Sequence, residues 1–120
     1  MFLEKVIDRE MFNNFKNKKR RREEEKQIII SEIKKVHQTV HPLDPEISKI
    51  LVKGIKNLEK GKNPEYVAYQ IGQDLIGFSL NRFDYDNNCS YVFPEPIQEL
   101  KKKCDEIGKY FIRLNYWSTL

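Results

Sequence analysis

Two short segments, Asp44-Pro45-Glu46 and Asn63-Pro64-Glu65, constrain this chain more than any other feature. In each, an Asx side chain is placed to accept a hydrogen bond from an orphaned N–H at a helix start. The proline that follows suits the first helical position, where a missing N–H costs nothing. The glutamate then faces the positive end of the helix dipole. Gly61, a residue at ease in the left-handed region, is a natural stop between the two starts. The segments therefore predict one helix from Pro45 to about Gly61 and another from Pro64, joined by a turn short enough to make them antiparallel neighbours.

Apolar spacing extends this reading to the whole chain. Ile47, Ile50, Leu51, Ile55 and Leu58 form one face of the first of these helices. Val67, Ala68, Ile71, Leu75, Ile76, Phe78, Leu80 and Phe83 give the second the widest apolar arc, with Gly72 and Gly77 expected to allow close approach. Upstream, Ile29, Ile33, Val36 and Val40 carry a stripe to His41-Pro42, where the proline should end the helix. Downstream, a polar loop over 84–95 leads to a helix starting near Pro96, with Ile97, Leu100, Cys104, Ile107, Phe111 and Leu114 at heptad-like spacing. Periods of three and four dominate and strand-like alternation is short. The prediction is an all-α, antiparallel up-down four-helix bundle. The 120 residues suit one domain, and a hydrophobic fraction of 39% is enough for one core.

The start of the chain reads differently. Leu3, Ile7, Met11 and Phe15, flanked by Val6 and Phe12, mark an amphipathic helix. It runs into six basic residues within seven positions: Lys16, Lys18, Lys19, Arg20, Arg21 and Arg22. Residues 1–22 hold eight Lys/Arg against three acids, whereas the rest of the chain holds 14 basic and 15 acidic residues. The charge count thus places the basic character in an N-terminal basic amphipathic helical extension over 1–22, ahead of a four-helix bundle over 23–120. It predicts no positive surface from the bundle itself. Arg20–Glu24 and Arg21–Glu25 would let the helix continue, so one helix from about residue 3 to residue 40 is the alternative to a boundary. The basic run suits an anionic membrane surface, given the apolar face before it. It also suits nucleic acid phosphates. Nucleic acid ranks lower because the run stops at Glu23. The bland reading is a solvated helix end.

Charges at Glu4, Lys5, Asp8 and Arg9 interrupt the N-terminus, which lacks a signal-peptide core. No window offers the roughly 18 apolar residues of a membrane span. The expectation is a cytoplasmic protein, or one peripheral to the inner face of the cell membrane. Two cysteines, Cys89 and Cys104, fit a reducing compartment without a structural disulfide.

Chemical motifs are sparse. There is no nucleophile elbow and no Gly-rich phosphate loop. No enzymatic activity and no cofactor are therefore expected. His37 and His41 lie four apart but read as solvent-edge histidines, since no acidic or cysteine partner is near. Asp84, Asp86, Asn88 and Glu95 fall at positions 1, 3, 5 and 12 of a calcium loop, yet position 6 is Cys89 where glycine is needed. Turn chemistry is the simpler account of that loop. Cys104, on the apolar seam, reads as a buried, inert thiol.

The wording of three segments adds a resemblance. EEEKQIIISEIKKV (23–36), the stretch DPEISKILVKGIKNLEKGKNPEYVAYQIGQDLIGFSLNRF (44–83) and FPEPIQELKKKCDEIGKYF (93–111) resemble the helices of the enterocin A immunity family. These are cytosolic proteins that protect producers of pediocin-like bacteriocins. The resemblance covers about three-quarters of the chain, from Glu24 to Leu114, and residues 1–22 look like an addition to it. It implies a non-enzymatic antiparallel four-helix bundle. It also implies a partner, the bacteriocin-bound membrane components of the mannose phosphotransferase system, engaged from the cytosolic side. Recognition is expected in the C-terminal half, which here holds Tyr85, Tyr91, Phe93, Tyr110, Arg113, Tyr116 and Trp117. Aromatic and arginine side chains are suited to anchoring an interface. Taken singly, Phe93 and Tyr110 suit sealing the bundle end equally well. The rival expectation is a small helical nucleic-acid-binding or regulatory protein using the basic arm.

Overall fold

A computed structural model describes residues 2–119, with the side chains of 17–109 and of Phe111. It consists of four α-helices: α1 (Phe2–Thr39), α2 (Pro45–Glu59), α3 (Pro64–Asn81) and α4 (Glu95–Thr119). Both Asx-Pro-Glu starts behave as their chemistry requires. Asp44 Oδ1 accepts from Glu46 N–H at 2.8 Å, and Asn63 Oδ1 accepts from Glu65 N–H at 3.0 Å. Each proline opens its helix. Gly61 takes φ +84°, the left-handed value that lets the chain leave α2 at once.

Side-chain pairs fix the direction of every neighbour. Lys35 meets Glu99, and Lys103 meets Glu32, so α4 descends along α1. Asn57 donates to Gln70, and Lys53 lies near Asp74, so α3 runs back along α2. His37 reaches Ser48 and Ile33 lies by Gly54, so α2 runs antiparallel to α1. α3 and α4 share the most extensive contact, and α3 touches all three other helices. Among the described residues α2 and α4 do not touch and occupy opposite corners of the bundle. This is the antiparallel up-down bundle that the spacing predicts.

The core is continuous along all four helices. It contains Ile29, Ile33 and Val36 of α1, Ile47, Leu51 and Leu58 of α2, Val67, Ile71, Leu75 and Phe78 of α3, and Ile97, Leu100 and Cys104 of α4. Ile50, Ile55, Val40 and Ile107 pack against its edge, half-buried. Two expectations about α3 need correction. Leu80 is 64% exposed, because the last turn of α3 runs past Phe78, where the core closes. Gly77 has nothing within 4 Å of where a Cβ would sit, so it mediates no close approach. At Gly72 a Cβ would stand 2.9 Å from Asp105 Oδ1 of α4, as expected of a close approach, and the tightest backbone contact lies on α4 itself. A Cβ on Gly108 would stand 2.9 Å from the backbone nitrogen of Tyr69.

The helix boundaries add detail to the sequence reading. α1 passes through positions 22 and 23 unbroken, so the basic run and the first bundle helix are one element. α3 ends at Asn81, slightly earlier than its apolar pattern. α4 continues through Thr119, since no proline or glycine follows Gly108 to stop it. The apolar face of residues 2–15 and Leu114 of the α4 seam lie outside the described side chains.

The glycines give opposite expectations for the same substitution. Gly108→Ala forces a backbone contact apart and should lower stability by about 1–3 kcal/mol. Gly77→Ala meets open space and should raise it by about 0.5–1 kcal/mol through helix propensity. Chemical denaturation of the two variants beside the parent checks both signs.

Candidate interaction surface

The aromatic end of the bundle is built by α3 and the loop that follows it. Phe78 stacks on Phe93 at 5.9 Å between centroids, and Tyr91 meets both rings edge-on at 5.3 and 5.2 Å. Phe93 is buried and Tyr91 half-buried, so these two close the core. Arg82 lies over the outer face of Phe78 at 4.6 Å and pairs with Asp44 at 3.3 Å and Glu46 at 3.8 Å. It thereby ties the start of α2 to the end of α3. Tyr85 behaves differently: it is 83% exposed and touches Phe83 edge-on at 4.8 Å. Val92, 75% exposed, lies in the same loop. Of the expected recognition residues, Tyr85 presents an accessible ring, Tyr91 a partial one, and Phe93 serves packing. Tyr110, Arg113, Tyr116 and Trp117 lie outside the described side chains.

The loop itself is a tight turn. Asp84 and Cys89 exchange two backbone hydrogen bonds, and Asn88 takes φ 52°. Asp84 accepts from the N–H groups of Asp86 and Asn87 and from the Asn87 amide. The Asn87 side-chain bond, then its backbone bond, holds the Asp84 carboxyl below the usual range. Its oxygens are thus turned to the loop's own donors. The described residues hold no group of three or more His, Cys, Asp or Glu arranged for a metal ion. The histidines are likewise turned to the chain. His37 donates Nδ1–H to Ile33 O and accepts from the Ser48 hydroxyl, and His41 donates to Gln38 O.

The second surface is basic. Lys18, Lys19, Arg20, Arg21 and Arg22 are all exposed, while Lys16 lies outside the described side chains. Their charge is partly answered: Arg20 lies 3.7 Å from Glu24, and Arg21 lies 3.5 Å from Glu25 and 3.3 Å from Glu65 of α3. Lys19, Arg22 and Lys26, with Glu23 among them, line a groove against the α2–α3 turn, to which the turn contributes Lys62. Beyond the turn, Lys49, Lys53, Lys56 and Lys60 line one groove along α2. The expectation that the bundle adds no positive surface is therefore corrected. The charge count missed it because the acids that balance these lysines stand elsewhere. The helical spacing of 49, 53, 56 and 60 was the available signal.

Arg21 serves two carboxylates at once. Burial pushes the Glu25 carboxyl up, repulsion from Glu65 adds to this, and Arg21 and Arg22 offset part of it. One Glu25 oxygen is buried without a partner. A folded pKa above the unfolded one means that stability declines as pH rises through the folded value. Glu25→Gln should therefore raise the thermal midpoint at neutral pH and leave it unchanged below the carboxylate range, as pH-resolved melting would show. A lower midpoint at neutral pH would mean that the Arg21 pairing outweighs burial.

Burial also pushes the Cys104 thiol up to about 12, whereas Cys89 is exposed. A titrating disulfide reagent should find one fast thiol in the native protein and a second only after unfolding.

The described residues thus define a four-helix bundle carrying an aromatic end and a basic flank, with no helix among them long and apolar enough to cross a membrane. Compared with models of protein families, with curated proteins and with solved structures, the chain matches none.

Proposed function

We propose that this chain is a non-enzymatic immunity protein that protects its producer from a pediocin-like bacteriocin. In this reading it binds, from the cytosolic side, the complex of bacteriocin with the membrane components of the mannose phosphotransferase system. One observation carries it: the three segments resembling the immunity family correspond to the helices of an antiparallel four-helix bundle. Segment 93–111 supplies both Phe93 of the aromatic end and Gly108 of the α3–α4 contact. Its particular wording is then what the bundle requires, with Tyr85 and Val92 left outside as anchors for a partner.

The test is protection of a sensitive bacterium expressing the chain, challenged with a panel of such bacteriocins. Survival against one or two is expected. Tyr85→Ala, at an exposed position, should reduce the tolerated concentration by about tenfold or more without loss of soluble protein. Truncation of residues 110–120 should abolish protection while the helical signal of the bundle persists. No protection against any member, despite soluble expression, overturns the reading. The basic groove between α1 and the α2–α3 turn favours one alternative, a nucleic-acid-binding regulator. A gel shift that requires Lys16–Arg22 and weakens steeply with salt would support it.

A further inference from the structure

The outward face of α2 is unusual for this chain. On the other long helices some basic side chains are answered by an acid four residues on, as in Arg20–Glu24, Arg21–Glu25 and Lys101–Asp105. On α2, Lys49, Lys53, Lys56 and Lys60 follow one another at spacings of four, three and four. Those spacings stack them on one side of the helix, where like charges repel. All four are exposed, and the buried face of α2, with Ile47, Leu51 and Leu58, lies opposite. Of the four, Lys53 lies within ion-pair distance of an acid, Asp74 at 3.7 Å. A glutamate at 49 or 56 would pair with the lysine four residues on and stabilise the isolated helix.

The row does not end with the helix. Lys60 caps α2, Lys62 follows in the turn, and Lys62 lines the adjoining groove with Lys26, Arg22 and Lys19 of α1. The result is a basic strip that starts one turn into α2 and passes into the α1 cluster.

We propose that this strip is a docking surface for an anionic lipid bilayer, on which the bundle lies with α2 against the headgroups. The proposal stands apart from the immunity reading and needs no bacteriocin. Charge complementarity carries it, and the make-up of the strip selects lipid over nucleic acid. The α2 row is entirely lysine, a compact point charge suited to delocalised headgroup attraction, whereas base readout favours the arginine fork. Val52, 39% exposed, lies among the lysines and offers an apolar contact at the interface. Tyr85, an exposed ring of the kind that stacking on bases would need, sits in the α3–α4 loop and not among the lysines of the strip. The sequence before the cluster, with Phe2, Leu3, Phe12 and Phe15, has the pattern of an interfacial helix.

The experiment is sedimentation of the full chain with vesicles of phosphatidylglycerol in phosphatidylcholine, beside vesicles of phosphatidylcholine alone. Binding to the first, absent from the second and weakening with salt, is expected. Lys49→Gln with Lys56→Gln should reduce it by about tenfold or more, at roughly fivefold for each lysine near the surface. Lys35→Gln with Lys102→Gln removes the same charge from α1 and α4 and should change it by less than about threefold. Melting curves of both double variants confirm folding. Equal losses in the two variants overturn the docking face. So does the absence of vesicle binding accompanied by a gel shift with duplex DNA or single-stranded RNA that the α2 variant weakens.

Discussion

The contact between α3 and α4 at Gly108 sets the geometry on which the other helices depend. The backbone of Tyr69 comes so close that any side chain at 108 would collide with it. At the far end of the same pair, Phe78 stacks on Phe93. Two contacts at opposite ends of an antiparallel pair fix both its spacing and its register. α2 then seats Gly54 against Ile71, where a Cβ would stand 2.7 Å from the isoleucine's Cδ1. α1 closes the bundle with Ile29, Ile33 and Val36. Burying each large apolar side chain contributes about 1.5–3 kcal/mol, which supplies the driving force. The glycines contribute little to that force and decide instead which packing it acts on.

Polar groups inside the seams act in the same sense. Glu32 is only 8% exposed, and one of its oxygens accepts from Lys103 at 2.9 Å while the other has no partner. A pair of this kind adds little net stability, yet breaking it leaves a buried carboxylate uncompensated. A slip of α4 by one turn would do that. Asn57 and Gln70 form a neutral counterpart between α2 and α3. Arg82 completes the set at the aromatic end, where it joins the capping carboxylate of α2 to a ring of α3.

These facts explain which parts of the molecule could be read from the sequence. A helix start needs only its own next three residues, so Asp44 and Asn63 announced theirs fully. An amphipathic stripe is nearly as local, and Ile33, Leu51, Ile71 and Leu100 were all placed inside correctly. Burial at a helix end depends on which neighbours reach it, so Leu80 is exposed although it continues an apolar arc. Close approach depends on where two axes cross, and that crossing favours Gly108 over Gly77 for reasons no single segment contains. The candidate surface divides the same way. Tyr85, Tyr91 and Phe93 were chosen together from the sequence, and only the fold separates the exposed ring from those that seal the core.

The α2 lysines show why a charge balance can mislead. Residues 45–63 hold five lysines against Glu46 and Glu59, while 64–109 hold eight acids against five basic residues. Summed along the chain these cancel, and the bundle counts as neutral. In space they do not cancel: α2 and its turn carry the excess lysines, α3 and the loop after it the excess acids, while α4 is balanced through Lys109. A neutral bundle with segregated charge has an orientation in front of a charged surface, which a neutral bundle with mixed charge lacks. The aromatic end depends on α3 and α4, whereas the lysine row belongs to the outer side of α2. Because α2 and α4 do not touch among the described residues, substitutions on the outer side of α2 leave the α3–α4 contact undisturbed. The two surfaces can therefore be altered separately.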